Sequence, residues 1–245
     1  MSEVVTWSEP PESLSLATGD VHVWRVELNQ PEPLLEKFRE TLEEQELDRA
    51  SRFHFEKHRR HFTAGRGVLR QLLSQYLGTK PEQLRLSYGA YGKPALNGEH
   101  KDSRLRFNMS HSHEVALFAF AEDRELGVDV EHIRTDFASE EVARRFFSRR
   151  EVETFNALPR HDQVAAFFKC WTRKEAFIKV IGKGLSQPLD KFDVTLVHPA
   201  ALLWVSGDDA SRWSLYDLEV GGDYAGALAV EGQVSRIRCW HMTSR

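Results

Sequence analysis

The 245-residue chain has only two cysteines, Cys170 and Cys239, and neither has metal-ligand neighbours at a recognised spacing. Cys170 stands in an apolar helical run, which points to a buried thiol rather than a nucleophile. No run of about 18 apolar residues occurs, so there is no candidate membrane span. Met1 to Pro11 is polar and acidic and lacks the basic start and apolar core of a signal peptide. Positive charge is not in excess either: 33 Lys and Arg stand against 37 Asp and Glu, a formal net charge of −4. That balance argues against nucleic acid as a partner but leaves room for a local basic pocket. Neither His-Glu-x-x-His nor Gly-x-x-x-x-Gly-Lys-Ser/Thr occurs, so a zinc site of that kind and an ordinary P-loop are unsupported. Together these absences point to a cytoplasmic protein that engages neither membrane nor nucleic acid.

What is present is an ordinary folded composition, 41% hydrophobic and 29% charged, enough for one large domain or two smaller ones. Period-two alternation predicts strands at 21–28, 84–88, 115–121 and 126–131, with another beginning at 106–109. The strands at 115–121 and 126–131 are expected to be neighbours in a meander. Helical patterning covers 34–47, a basic stretch 47–77, then 139–147, 149–156 and 162–181. Further strands are expected near 192–197, 201–205, 213–219, 224–230 and 237–240. Gly221-Gly222-Asp223 punctuates a hairpin. A faint echo links Arg52-Phe53, a helix and Gly92-Lys93-Pro94 to Arg145-Phe146, a helix and Gly182-Lys183-Gly184, as two similar α/β halves would.

Two segments could carry chemistry together. Gly127-Val128-Asp129-Val130-Glu131 reads as a strand, so Asp129 and Glu131 share one face. By itself such a pair is more often the charged, solvated edge of a sheet. Trp171-Thr172-Arg173-Lys174-Glu175-Ala176-Phe177-Ile178-Lys179 reads as a helix, with Glu175 and Lys179 four apart. That spacing is also the common stabilising helix pair. The stripe Arg173, Lys174, Glu175, Lys179 faces either water or a site. Brought together, three carboxylates would suit a hard cation, and a lysine beside it suggests phosphate chemistry. Phe107-Asn108-Met109-Ser110-His111-Ser112-His113 ends a strand with hydroxyls and imidazoles, of which Ser110 and His111 could donate to phosphate or simply cap a turn. The arginines from Arg49 to Arg66 form either a solvated basic helix or an anion surface.

In this order the segments resemble the 4′-phosphopantetheinyl transferase superfamily, in its surfactin-synthetase-activating branch. The shared pattern is Gly-Val-Asp at 127–129, the Trp171 to Lys179 block, Gly92-Lys93-Pro94, Phe107 to His111, and Gly182-Lys183-Gly184-Leu185. The resemblance implies a mixed α/β (α+β) fold of two similar halves about a pseudo-twofold axis, each a small antiparallel-rich sheet packed on helices. The halves would be 1–122 and 123–245, the second carrying the metal and catalytic motifs, with coenzyme A between them. It implies transfer of 4′-phosphopantetheine from coenzyme A to a serine of an apo acyl, peptidyl or aryl carrier protein, by a monomer. Asp129, Glu131 and Glu175 would hold Mg²⁺, or Mn²⁺ in its place. Glu175 and Lys179 would be catalytic. Arg49, Gly92, Lys93, Ser110, His111 and Lys179 would bind coenzyme A, with Arg49 and His111 at its 3′-phosphate. The loop before Gly92 departs from a fixed pattern by carrying Tyr88 and Tyr91. Arg144, Arg145, Arg149, Arg150 and Arg160 form a candidate docking patch for an acidic carrier. A silent relative that binds without transferring is the alternative.

Overall fold

The structure is a computed structural model that describes residues 7–89, 92–182 and 188–242. Tyr91 and the Lys183 to Leu185 part of the second glycine motif lie outside the described residues.

The first part runs β1 (Trp7–Ser8), β2 (Asp20–Glu27), α1 (Glu32–Thr41), α2 (Glu44–Ser51), α3 (Glu56–Leu77), β3 (Arg85–Tyr88), β4 (Pro94–Asn97), β5 (Leu105–Ser112) and β6 (Val115–Glu122). The second runs β7 (Leu126–His132), α4 (Glu140–Phe146), α5 (Arg149–Ala157), α6 (Arg160–Ile181), β8 (Phe192–Val194), β9 (Leu202–Val205), β10 (Trp213–Leu218), β11 (Tyr224–Glu231) and β12 (Arg236–Met242). The fold is therefore mixed α/β, as expected.

A five-stranded sheet in the order β1-β12-β2-β6-β5 lies over a three-stranded one, β10-β11-β7. Alternation builds the layers. Val21, Val23, Leu117 and Ala119 of the first sheet meet Leu126, Val128, Val130 and Leu228 of the second in one buried cluster. The opposite face of the first sheet, with Trp24, Val26 and Phe118, packs under Leu35 and Phe38 of α1 and Val68 and Leu72 of α3. The far side of the second sheet, with Ala227 and Ala229, is covered by Phe167, Ala176 and Phe177 of α6. The order is helices, sheet, sheet, helices.

The predicted meander is corrected here. β6 already has β5 and β2 as neighbours, so β7 joins β11 in the other sheet. Leu126, Val128 and Val130 then bury against the first sheet instead of extending it. The long basic stretch is also divided: α2 ends at Ser51 and α3 starts at Glu56. The short strand β4 was not foreseen.

The internal echo extends to buried pairs. In α2 and α5 the third residue, Glu46 or Glu151, closes a capping box. Each glutamate then takes a cation from the following long helix: Arg70 Nε to Glu46 at 2.7 Å, and Lys174 Nζ to Glu151 at 2.7 Å. Arg70 and Lys174 lie equally far into their 22-residue helices, since 70 − 56 and 174 − 160 are both 14. The repeat gives each long helix a buried glutamate–cation anchor at the same depth.

Candidate active site

Gly127 brings the acidic groups together. A Cβ there would stand 2.2 Å from the Ala176 carbonyl oxygen and 2.7 Å from the Val180 nitrogen, so only glycine lets α6 lie this close to β7. The contact sets Lys179 over the strand. Its Nζ donates to Asp129 Oδ1 at 2.7 Å, to Ser110 Oγ at 2.7 Å and to the Val128 carbonyl at 3.1 Å. Lys179 therefore pairs with Asp129, not with Glu175 one turn earlier.

β5 and β7 are edge strands of different sheets, and side chains join them. Asn108 Oδ1 accepts from Val128 N at 2.9 Å, Ser110 donates to Asp129 Oδ1 at 2.8 Å, and Ser112 donates to Glu131 Oε2 at 2.8 Å. Residues 108, 110 and 112 share one strand face by period two. The other face, with Met109 and His111, opens into a cleft of about 1070 Å³. Ser110, expected to bind phosphate, is occupied by Asp129 and Lys179. Asn108 and Ser112 were not singled out, although their polar alternation with Ser110 was a usable signal.

All three carboxylates come from the second half: Asp129 and Glu131 from β7, Glu175 from α6. Burial, and then the charge of Asp129, raises the pKa of Glu175 to about 7, with Glu131 adding to it and Lys179 opposing. Glu131 is raised by burial and then by Asp129. Asp129 is 3% exposed, and its Oδ2 is buried without a hydrogen-bond partner. An orphaned carboxylate oxygen beside two mutually repelling carboxyls is a donor set that fits a hard dication. Among the described residues, however, no group of three such side chains stands ready to hold an ion as they are arranged here. The Lys179 ammonium supplies the positive charge to Asp129.

The cleft is lined by Arg49, Gly92, Lys93, His111, Glu175 and Lys179 of the expected residues. Gly92 has φ +76°, a left-handed conformation that its loop needs. Lys93 spans to the second half: its Nζ donates to the Lys179 carbonyl at 2.9 Å and lies 3.7 Å from Glu125. His111 is solvent-accessible at the cleft, where partial desolvation and then the nearby Lys179 charge lower its pKa. Arg173 and Lys174 are neither solvated nor part of the site. Both are 0% exposed, paired with Asp217 and Glu151. Sequence reasoning gave Arg66 no contact, yet it lines the cleft.

Cations along one wall, with Glu175 and Lys179 at the other end, suit an anionic ligand. Comparison with known proteins gives the family. Residues 29–123 match the 4′-phosphopantetheinyl transferase N-terminal family, and 125–229 match the 4′-phosphopantetheinyl transferase superfamily. The chain is 40% identical over 238 residues to the 4′-phosphopantetheinyl transferase HetI of Nostoc sp., covering 96% of this chain and 98% of that one. It is 33% identical to the 4′-phosphopantetheinyl transferase Sfp of Bacillus subtilis, over 66% of this chain and 69% of the relative. The human L-aminoadipate-semialdehyde dehydrogenase-phosphopantetheinyl transferase is 25% identical, over 78% and 67%. The chain belongs to the 4′-phosphopantetheinyl transferase superfamily, in its Sfp-type branch, and is a transferase that activates carrier proteins with coenzyme A.

Proposed function

We propose that the chain moves 4′-phosphopantetheine from coenzyme A to a serine of an apo acyl, peptidyl or aryl carrier protein in a Mg²⁺-dependent reaction, with Mn²⁺ able to substitute. The observation that carries the residue assignment is the packing of α6 on Gly127, which gathers Asp129, Glu175 and Lys179 at one end of the cleft.

Asp129, Glu131 and Glu175 would hold the ion. When bound, it neutralises charge on the phosphate that is transferred. Glu175 accepts the carrier serine's proton, directly or through water, from its place on α6 facing the cleft. The serine Oγ–P bond forms as the P–O bond to adenosine 3′,5′-bisphosphate breaks. Lys179 offsets the charge of that leaving group by Coulomb attraction and can protonate it. Arg49, Gly92, Lys93 and His111 line the coenzyme A site, and Ser110 acts there by holding Asp129 and Lys179.

The carrier docks on the arginine patch of α4 and α5. Arg149 and Arg150 support this, with side chains 91% and 80% exposed. The halves divide at 122/123, a reading supported by the junction of the two family matches, while β12 returns to pair with β2. Both halves belong to one chain, which supports a monomer, and the location is the cytoplasm. Among the described residues no helix is long and apolar enough to cross a membrane.

The test is the mass of an apo carrier after incubation with the protein, coenzyme A and Mg²⁺, with and without EDTA. A gain of one phosphopantetheine that EDTA abolishes is expected. A gain that EDTA leaves intact refutes the metal dependence. Binding of coenzyme A with no gain on any of several diverse carriers supports the silent relative instead.

A further inference from the structure

Phe55 neither caps its helix nor fills the core. It is the N-cap residue of α3, a position that favours Ser, Thr, Asp or Asn, whose side chains accept a free N–H of the first turn. A phenyl ring accepts nothing, and this helix start has no side-chain cap. At 62% exposure the ring is also the most exposed large apolar side chain among the described residues. The imidazoles of His54 and His58 stand edge-on to it, with centroids 4.9 and 5.6 Å away, and brace it in its outward position.

This ring stands beside the cleft. Phe53, Lys57 and His58, on either side of Phe55 in the chain, all line the cleft. Lys57 Nζ donates to Glu114 Oε1 at 2.8 Å, in the turn between β5 and β6. Two residues before Glu114, Ser112 donates to Glu131 Oε2 at 2.8 Å. The start of α3 is thus tied by two short contacts to the strand that holds the acidic end.

The charge around the ring is uneven. Lys57, Arg59 and Arg60 have carboxylates in Glu114, Glu56 and Glu32. Arg52, three residues before Phe55, is exposed and forms no ion pair among the described residues. An outward aromatic ring with an unpaired arginine near it is the composition of a protein-binding anchor. It fits a partner that offers an apolar side chain next to a carboxylate.

Building on the transferase reading, we infer that Phe55 and Arg52 form a docking point for the carrier protein, the ring taking an apolar side chain near the acceptor serine and the guanidinium a neighbouring carboxylate. The serine must enter this cleft to be modified, so the carrier's surface comes to rest on the residues at its edge. This docking point belongs to the first half, and the arginine patch of α4 and α5 to the second. A carrier held by both is fixed over the cleft that the two halves line.

The test is steady-state transfer to one apo acyl carrier protein by the wild type, Phe55→Ser and Phe55→Tyr, with melting temperature and coenzyme A affinity measured on each. Serine suits the N-cap, so Phe55→Ser should melt about 2–4 °C higher. Its KM for the carrier should nevertheless rise about ten-fold, with kcat and coenzyme A affinity unchanged, as for one lost anchor. Phe55→Tyr keeps the ring and should keep the wild-type KM. Arg52→Gln should raise the same KM about three-fold at low salt and less as salt is added. An unchanged KM in Phe55→Ser overturns the inference and leaves the transferase reading standing. So does a loss of coenzyme A affinity, which would make the ring a coenzyme contact, or a wild-type dimer that Phe55→Ser splits in sedimentation. No transfer by the wild type to any of several diverse carriers overturns both.

Discussion

Ser110 donates its hydroxyl to Asp129 at 2.8 Å, from an edge strand of one sheet to an edge strand of the other. The same oxygen accepts from Lys179 at 2.7 Å, so one serine fixes two groups at the acidic end of the cleft. Ser110→Ala should therefore lower the transfer rate by about ten-fold, the value of a hydrogen bond to a charged group. Coenzyme A affinity should stay within a few-fold. Separate measurement of Kd and single-turnover rate decides this, and a loss confined to Kd would assign Ser110 to phosphate binding instead.

Gly127→Ala places a methyl group 2.2 Å from the Ala176 carbonyl, and backbone cannot swing aside as a side chain can. The helix must lift from the strand, at a cost of about 3 kcal/mol. Urea denaturation should show that loss. Unaltered stability together with full activity would mean that this close approach does not position Lys179.

Two lysines five residues apart should behave in opposite ways. Lys174 is buried against Glu151, so Lys174→Met leaves an unpaired buried carboxylate and should cost about 3–5 kcal/mol. The side chain of Lys179 is 26% exposed at the cleft, so Lys179→Met should fold while transfer drops about a hundred-fold or more. Thermal melts and transfer rates on the two variants test the contrast.

Burial, followed by the charge of Arg238 and against that of Asp20, depresses the pKa of His22 from 6.5 to about 4. Between those values the unfolded chain binds a proton that the native histidine refuses, so this contribution is lost as pH falls through that window. His22→Asn should reduce the stability difference between pH 7 and pH 5 by about 1–2 kcal/mol. Equal differences in both proteins, from urea melts at each pH, would remove His22 as the cause.

The strands and the acidic motif were legible because they depend on local alternation. Asp129 and Glu131 had to point away from Val128 and Val130, and they do so toward α6. The partners of α6 were not legible. Arg173, Lys174, Glu175 and Lys179 look alike in sequence, but the first two are fixed by Asp217 and Glu151, far along the chain or on another helix. The joining of β5 to β7 through Asn108, Ser110 and Ser112 was hidden for the same reason: it is a contact between sheets.

The most direct test of the central claim is the intact mass of an apo carrier protein incubated with coenzyme A, Mg²⁺ and either the wild type or Glu175→Gln. The account predicts one added phosphopantetheine with the wild type and an unmodified carrier with the nearly isosteric variant, whose melting temperature stays close to that of the wild type. Full modification by Glu175→Gln, or no modification of several diverse carriers by the wild type, would contradict it.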